Sequence, residues 1–581
     1  MNWWEDIDGR LDAELKRFDD LGLKYQDQTT DSDRGAGILR YEVIYHAKNG
    51  DMNLEVIFPP DYPFFKPKVI YQTEECLIRH HNPISKELCT LDRNGADWVP
   101  NMSAADLIQD QIKSLLQTVE DPLSEYTAEN ESQQGEPISS FYPRDEGYIL
   151  LVEDIHIQDL YTHGAFTAAR LVGDMGFSRF TFLSIEDNHS NVIANASDTL
   201  INNFQEVNAP TAKGYWRQWK TIPGHDQHIA PQAMKPEALC RAINKPKYEA
   251  FKRKKAKQPE SMIFATLYEE EAEWRKYDIP AWYGVVVVNS NGNIKHNPLP
   301  AGGYDFENRF LRAPELRPLK DATVTISGAG MLGSSIAIQL ARAGVGTLNI
   351  IDFDYIELPT TIRYALGAEF AHMPKAAALK LYILRNYPGV RVNHYVYGFG
   401  MFPSSSEDIA IYSKTRKSVM NAIEAADLLI EATVEKTVRH FLTYHNEKNS
   451  IPTLFVASRP GSWGGELLRV NPEGPCWNCF ERYQKDPEHP FDVPNGDDSA
   501  EPVQGGGCGS PTSIGNGFDA DEISLETVRT AVGILTSNDP AGYPDSEWNA
   551  VTINLRGEQG RIPIECKTYN LPIHPDCKHH G

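Results

Sequence analysis

The stretch that decides the fold runs ATVTISGAGMLGSSIAIQLARAGVGTLNIIDFD, from Ala322 to Asp354. A short apolar strand leads into Gly328-x-Gly330-x-x-Gly333, a helical segment follows, and a second apolar strand ends at Asp352. Glycines let the backbone approach a phosphate, and a helix N-terminus offers free N–H groups and the positive end of its dipole. A carboxylate about 20 residues further on suits ribose hydroxyls. The pattern predicts a Rossmann-like nucleotide-binding domain with a mostly parallel sheet.

Cations follow this fingerprint at short range, because Arg363 and Lys375 come soon after Asp352-Phe-Asp354. A hydride-transfer enzyme does not need positive side chains there, so a nicotinamide-dependent oxidoreductase explains the pattern poorly. An adenylating enzyme does need them. Attack of a carboxylate on the α-phosphate of ATP concentrates negative charge, which fixed Arg and Lys side chains stabilise as pyrophosphate leaves.

These residues resemble the ubiquitin-activating superfamily, which includes the bacterial ThiF and MoeB enzymes. By this resemblance Asp352 would hold the ribose of ATP, and Arg363 and Lys375 would hold its phosphates. Thr360 stands where the family has an asparagine, and Val434 stands where it has the aspartate that binds Mg²⁺. The carboxylates that could replace this aspartate are Glu431, Glu435 and Asp354.

The same resemblance implies a homodimer, because adenylating domains of this superfamily pair with a second copy. One arginine of each subunit reaches the ATP of its partner in that family. Arg309 and Arg312, just upstream of the first strand, are the candidates for this arginine.

Four potential metal ligands occur as two close pairs, Cys476-x-x-Cys479 and Cys577-x-x-His580. Two pairs of this kind make a four-ligand tetrahedral zinc site of structural type. Free, reduced cysteines are the alternative interpretation. The superfamily often carries Cys-x-x-Cys in both places, so His580 would be a departure with equivalent chemistry. Cys566 is a possible substitute ligand, although we expect a buried apolar thiol there.

Cys508 differs in setting from these cysteines. It follows Gly505-Gly-Gly507 and precedes a helical pattern, DADEISLETVRTAVGIL, while the Pro- and Asp-rich stretch before it, Tyr483–Gln504, is not expected to pack. A thiol in a glycine-rich turn ahead of a helix is accessible and can gain from the helix dipole. By resemblance, the position matches the acyl-accepting cysteine of ThiF-like and ubiquitin-activating enzymes.

A second thiol with a distinctive setting lies near the N-terminus. FPPDYPFFKPKV (Phe58–Val69) precedes HHNPISKELCTLDRNGADWVP (His80–Pro100), which has Cys89 at its centre. The combination resembles the ubiquitin-conjugating fold, with its Tyr-Pro stretch, His-Pro-Asn motif, catalytic cysteine and Trp-x-Pro. By this resemblance Cys89 accepts the acyl group, and Asn82 or His81 stabilises the oxyanion when a lysine attacks. A binding module without activity is the alternative.

The chain is therefore expected to be a multidomain α/β and α+β protein. Residues 1–145 would form a ubiquitin-conjugating-like α+β domain, 146–319 a middle α+β linker domain, and 320–581 a ThiF-type adenylation domain. A length of 581 residues suits three or four domains. In the middle region, Asn291–Gly292 predicts a hairpin turn.

Composition excludes several classes of partner. Asp and Glu outnumber Lys and Arg by 80 to 56, which gives a net charge of −24 and argues against general binding to nucleic acid or to anionic membranes. The basic run Lys245–Gln258 is expected to be a solvated helix face. No apolar run approaches the roughly 20 residues of a membrane span, and no signal peptide pattern opens the chain. Eight cysteines in 581 residues fit a reducing, cytoplasmic location.

One polypeptide that joins these two domains resembles the bacterial fusion enzymes of type II CBASS anti-phage operons. The resemblance implies that ATP and Mg²⁺ are used to adenylate the C-terminal glycine of a cGAS-like nucleotidyltransferase (CD-NTase). This acyl group would pass to Cys508, then to Cys89, and finally to a lysine of a target protein, in a ubiquitin-like conjugation. The alternative is a ThiF-like sulfur-carrier adenylating enzyme whose first domain only binds.

Overall fold

The structure, a computed structural model, describes most of the chain. The described residues are 2–48, 50–73, 80–82, 85–88, 90, 98–120, 147–152, 155–158, 160–173, 177–219, 235–255, 258–271, 278–303, 309–403, 405–488, 491–499, 501–503 and 514–580. The chain forms two compact units, the first made of Met1–Asn195 with Thr211–Gly303 and the second of Ala196–Pro210 with Tyr304–Gly581.

An antiparallel meander with flanking helices opens the first unit. The elements are α1 (Trp3–Asp6), α2 (Arg10–Asp20), β1 (Lys24–Asp27), α3 (Asp31–Gly35), β2 (Leu39–Ala47), β3 (Gly50–Phe58), β4 (Lys68–Tyr71) and α4 (Ala104–Glu120). The strands pair in the order β1-β2-β3-β4. Residues alternate along β2, so that Tyr41 and Val43 enter a core shared with Phe18 of α2 and Ile108 of α4.

The rest of the first unit is a sheet that closes on itself. Its strands are β5 (Tyr148–Val152), β6 (His163–Val172), β7 (Ser178–Asp187), β8 (Val192–Asn195), β9 (Thr211–Gln218), β10 (Glu260–Glu271), β11 (Asp278–Ser290) and β12 (Asn293–Gly303). They pair in the order β5-β12-β11-β10-β9-β6-β7-β8. Because β5 also pairs with β7, the described strands form a barrel. Between β8 and β9, the chain contributes helix α5 (Asp198–Glu206) to the second unit.

Alternate residues of the barrel strands enter two different cores. Ile263 and Ala265 of β10 pack with the barrel core, whereas Phe264 between them packs with helix α6 (Pro236–Arg253). The predicted hairpin is confirmed, since Ser290 pairs with Asn293 across a turn in which Asn291 has a φ of 54° and Gly292 a φ of 90°.

A long sheet with helices on it organises the second unit. The strands are β13 (Thr323–Ser327), β14 (Thr347–Ile351), β15 (Arg391–Tyr395), β16 (Leu428–Glu431), β17 (Thr453–Ser458), β18 (Gly464–Val470), β19 (Ala550–Gly557) and β20 (Gly560–Tyr569). The helices after α5 and α6 are α7 (Met331–Ala343), α8 (Lys375–Asn386), α9 (Ser406–Glu424), α10 (Lys436–Asn449), α11 (Trp477–Tyr483) and α12 (Gly517–Thr536). Three 3₁₀ segments join them, Pro314–Asp321, Leu358–Ile362 and Ala368–Phe370.

Strand order in this sheet identifies its ligand-binding edge. The order is β15-β14-β13-β16-β17-β18-β19-β20, with the first five strands parallel and the last three antiparallel. The prediction of a Rossmann-like domain is confirmed. Strand order reverses between β13 and β16, and ligands of such sheets bind outside the carboxyl ends of the strands at this reversal. None of the helices in the described ranges combines the length and hydrophobicity needed to cross a bilayer.

Candidate functional site

The three glycines of the loop after β13 differ in the space around their Cβ positions. Gly328 has a φ of 93°, and a Cβ there would lie 2.6 Å from the backbone nitrogen of Thr433 in the loop after β16. A Cβ on Gly333 would lie 1.9 Å from the carbonyl oxygen of Gly328. At Gly330, by contrast, no described atom lies within 4 Å of the Cβ position. Gly328 and Gly333 thus allow close packing, whereas Gly330 leaves room in front of helix α7 for a phosphate.

Asp352 lies directly beside this loop, after the end of β14. Its Oδ2 accepts a hydrogen bond of 2.6 Å from the backbone nitrogen of Ala329, and its Oδ1 accepts one of 2.8 Å from the nitrogen of Asp354. Burial raises the pKa of Asp352. Lys375, the first residue of α8, places its Nζ 2.5 Å from Oδ2 of Asp354. The predicted ribose carboxylate, the second aspartate and the lysine are therefore brought together at one edge of the sheet.

Arg363 follows the 3₁₀ segment Leu358–Ile362 and is half-buried. A Cβ on Gly517, the first residue of α12, would lie 3.3 Å from the Cα of Arg363. The hydroxyl of Thr360 donates to the carbonyl of Glu357 at 2.8 Å, so it stabilises this turn. Helix α12, which the sequence predicted to follow Cys508, thus begins beside a predicted phosphate ligand.

The carboxylates that could replace the family's Mg²⁺-binding aspartate differ in their surroundings. Glu431 is fully buried, with Oε1 accepting 2.7 Å from the nitrogen of Thr433 and Oε2 lying 2.7 Å from Nε of Arg439. Both oxygens of Glu431 are therefore engaged in a buried setting, whereas Glu435 and Asp354 are exposed, with Asp354 paired to Lys375. Val434, which occupies the position of the family aspartate, is exposed and has a φ of 62°. A β-branched residue rarely adopts this left-handed conformation, so the surrounding loop must hold it there.

The four predicted metal ligands form one cluster. Sγ of Cys476 lies 3.8 Å from Sγ of Cys479 and 3.7 Å from Sγ of Cys577, and Nδ1 of His580 lies 3.4 to 3.8 Å from the three sulfurs. Tetrahedral sulfur ligands at about 2.3 Å from a zinc ion lie about 3.8 Å apart, so the donor set fits such an ion.

Two expectations about the surroundings of this cluster are wrong. The stretch after Tyr483 does pack, because the ring of Phe491 is buried against Phe480 at 4.7 Å and against Tyr569 at 4.7 Å. Phe491 and the hydrogen bonds of Asn495 to Asn554 and Arg556 anchor a segment whose Pro and Asp content argued against packing. Cys566 is exposed rather than buried, because it lies on β20 at the edge of the sheet.

In the first unit, the two halves of the N-terminal motif contact each other. Nε1 of Trp98 donates to the carbonyl of Pro63 at 2.6 Å. Arg10 of α2 donates to the hydroxyl of Tyr62 at 2.8 Å and to the carbonyl of Pro100 at 2.9 Å. Burial raises the pKa of Glu14, whose Oε1 accepts from the Tyr62 hydroxyl at 2.5 Å. The Tyr-Pro and Trp-x-Pro segments thus form one structural unit.

The two oxyanion candidates differ in their surroundings. His81 is buried, its Nε2 lies 3.1 Å from the carbonyl of Tyr71, and burial lowers its pKa. Asn82 is half-buried, and its Oδ1 accepts a hydrogen bond of 3.0 Å from the nitrogen of Ser85. Cys89 and Cys508 both lie outside the described residues.

Several residues at these sites escaped the sequence analysis. Arg439 neutralises Glu431, Tyr364 is buried close enough to Asp352 for that carboxylate to raise its pKa further, and Glu447 approaches His580. Glu431 ends β16 and Arg439 lies in α10, so no regular spacing in the sequence predicted this pair. The contacts of Tyr364 and Glu447 come from tertiary packing.

Comparison with known proteins shows which families and relatives the chain resembles. Residues 306–537 match the model of the ThiF family. The uncharacterized protein y4oA of Sinorhizobium fredii is 25% identical over 608 aligned positions, which cover 99% of this chain and 97% of that protein. The sulfur carrier protein ThiS adenylyltransferase of Bacillus subtilis is 31% identical over 167 residues, covering 28% of this chain and 45% of that protein. The crystal structure of E. coli MccB with succinimide covers 47% of this chain and 74% of its own, at 15% identity and a TM-score of 0.34, which is too low to support a conclusion. The match agrees with the predicted resemblance to the ThiF family over residues 306–537.

Proposed function

We propose that this chain uses ATP to adenylate the C-terminal carboxylate of a partner protein and then transfers that carboxylate to a target lysine through two thioesters. The observation that carries the proposal is the bond between Asp352 and an open glycine loop at the strand-order reversal, with Lys375 paired to the neighbouring Asp354. The match of residues 306–537 to the ThiF family supports adenylation at this edge. The thioester relay is our proposal for the steps after adenylation.

Each residue at the nucleotide edge has a task in the first step. The backbone N–H groups at Gly330 and the start of α7 would bind phosphate oxygens, and Asp352 would bind ribose hydroxyls. Lys375 and Arg363 would stabilise the charge that develops when the substrate carboxylate attacks the α-phosphorus and the bond to pyrophosphate breaks. Mg²⁺ would neutralise further phosphate charge, and the carboxylates proposed to hold it are Glu435 and Asp354.

Acyl transfer then proceeds from sulfur to sulfur. The Cys508 thiolate attacks the acyl carbon and AMP leaves, the Cys89 thiolate displaces Cys508, and a lysine amine displaces Cys89 as its proton is lost. The side chain of Asn82 is the proposed oxyanion donor, since His81 is the more deeply buried of the two and lies against Tyr71. Contacts between Tyr62-Pro63 and Trp98 support a ubiquitin-conjugating-like fold for this region.

The wider setting is also a proposal. The activated tail would be the C-terminal glycine of a CD-NTase in CBASS anti-phage defence, and the enzyme would act in the cytoplasm as a homodimer. Arg309 or Arg312 would reach the partner's ATP, and the cluster of Cys476, Cys479, Cys577 and His580 would hold a structural Zn²⁺. The similarity to y4oA extends over 99% of this chain, which supports the proposal that both domains act in one enzyme.

A second candidate is favoured by the similarity to a ThiS adenylyltransferase over 28% of the chain. In this case the chain would adenylate a sulfur-carrier-like tail, and the first domain would only bind. Cys89 would then have no part in the reaction.

A thioester-trapping gel separates the two candidates. Purified chain is mixed with ATP, Mg²⁺ and a CD-NTase ending in glycine, and adducts sensitive to reducing agent are counted. We expect Cys508→Ala to abolish all adducts and Cys89→Ala to abolish only the second. Cys566→Ala is the matched control, because that thiol is exposed on β20 and has no proposed role.

The same gel can refute the proposed transfer from Cys508 to Cys89. If Cys89→Ala leaves both adducts and the lysine-linked product unchanged, the binding-module alternative is correct. If no radiolabel exchanges between pyrophosphate and ATP when the tail is present, adenylation itself is excluded.

A further inference from the structure

Helix α10 begins at the nucleotide edge of the sheet. The loop that precedes it packs against the glycine loop, because a Cβ on Gly328 would lie only 2.6 Å from the nitrogen of Thr433. One turn into the helix, Arg439 forms a buried ion pair with Glu431, at 2.7 Å from Nε to Oε2. The side chains of Arg439 and Glu431 are 4% and 0% exposed, so this pair fixes the helix start relative to β16.

The first turn of α10 contacts α11, which contains the metal ligand Cys479 and begins directly after Cys476. The guanidinium of Arg439 lies over the ring of Trp477, 4.3 Å from its centroid. Trp477 stands between Cys476 and Cys479 in sequence and is itself buried. The same arginine donates through Nη2 to the carbonyl of Val456 in β17 at 2.8 Å. Arg439 therefore connects Glu431, at the end of β16, with the helix that follows the metal ligand Cys476.

The far end of α10 approaches the cluster from the opposite side. His580 turns Nδ1 toward the three sulfurs, and its Nε2 lies 3.8 Å from Oε1 of Glu447. Nε2 of His579 forms a short contact with the other oxygen of Glu447. A carboxylate behind a metal-binding histidine fixes the ring orientation and the tautomer that leaves the ligating nitrogen unprotonated. Glu447 has the position for this task.

We propose that Glu447 is a positioning residue of the Cys₃His metal site, and that helix α10 couples occupancy of this site to the order of the loop from Ala432 to Glu435. A bound ion would hold His580 against Glu447 and Trp477 under Arg439. Both ends of the helix would then be restrained, and with them the loop from Ala432 to Glu435. This proposal depends on the proposed function in one respect, because the loop from Ala432 to Glu435 is taken to be part of the ATP site.

The test compares Glu447→Gln with wild-type full-length protein loaded with Zn²⁺. We expect the variant to release zinc to a colorimetric chelator at least about tenfold faster, because loss of such a partner typically costs 10- to 100-fold in metal affinity. Hydrogen exchange should also accelerate in peptides covering residues 428–440, both in the variant and in chelated wild type. Peptides from β10 and β11 provide an internal reference that should not change.

Glu424→Gln is the matched control, because Glu424 on α9 also pairs with a histidine of α10, at 3.4 Å from Nε2 of His445, but away from the metal cluster. Glu424→Gln should leave the rate of zinc release and the rate of hydrogen exchange at their wild-type values. Glu447→Asp should give rates between those of Glu447→Gln and those of wild type. Wild-type release from Glu447→Gln would overturn the role of Glu447. Unchanged exchange at 428–440 after zinc removal would overturn the coupling. Neither measurement uses an acyl substrate, so failure of the proposed conjugation would not alter them.

Discussion

At the scale of single residues, the three glycines of the nucleotide loop respond differently to an added methyl group. The Cβ of an alanine at position 333 would collide with the carbonyl of Gly328, whereas one at position 330 would meet no described atom within 4 Å. The first change affects the packing of α7 against β13. The second occupies only the space where a phosphate would approach.

We therefore predict that Gly330→Ala weakens ATP binding at least about tenfold, the equivalent of one lost hydrogen bond to a charged group of about 1.5–3 kcal/mol. Its free energy of unfolding should stay within about 0.5 kcal/mol of wild type. Gly333→Ala should instead lower the free energy of unfolding by about 1–3 kcal/mol. Urea unfolding and titration calorimetry with ATP measure the two quantities. Equal destabilisation by both variants would contradict this division of roles.

At the scale of elements, helix α3 is held by a capping box and an ion pair that share one carboxylate. Asp33 accepts hydrogen bonds from the hydroxyl and nitrogen of Thr30 at 2.6 and 3.2 Å, and Nε of Arg40 on β2 lies 3.0 Å from its other oxygen. The hydrogen bond from Thr30, and then that from Arg40, lower the pKa of Asp33.

This lowered pKa predicts a loss of stability in acid. The ionised form is favoured in the folded protein, so its contribution is present above the unfolded pKa of about 3.9 and disappears as pH falls through the lower folded value. Asp33→Asn should reduce the fall in melting temperature between about pH 5 and pH 2.5. Asp31→Asn, at an exposed position of the same helix, is the control. An acid slope that Asp33→Asn leaves unchanged would refute the assignment.

At the scale of the whole molecule, the chain leaves the barrel after β8, contributes α5 to the second unit and returns at β9. Asn203 of α5 is 6% exposed, and its Nδ2 donates to the carbonyls of Pro388 and Val390 at 2.7 and 3.0 Å. Lys380 of α8 forms an ion pair with Glu206. The second unit is thus completed by a segment more than 100 residues upstream of its first strand.

We expect Asn203→Ala to lower the free energy of unfolding of the second unit by about 1–3 kcal/mol, because two buried carbonyls lose their donor. Asn202→Ala, at the neighbouring exposed position, should change it by less than about 0.5 kcal/mol. The free energy of unfolding of this unit is measured in urea, with hydrogen exchange in peptides from β15 as the probe. If the two alanine variants unfold alike, α5 does not stabilise this unit.

Local patterns in the chain were sufficient for the elements that short-range physics specifies. The glycine spacing with its flanking apolar strands predicted the Rossmann edge, the Cys-x-x-Cys and Cys-x-x-His pairs predicted a four-ligand cluster, and Asn291–Gly292 predicted a hairpin. Each of these depends on residues close in sequence, where spacing and backbone preference restrict the geometry. Only the tertiary structure decided the closure of the barrel through β5 and β7, the membership of α5 in the second unit, and the approach of Glu447 to His580. These contacts join segments far apart in the chain, and many distant pairings satisfy the same local pattern until the packing of all of them selects one.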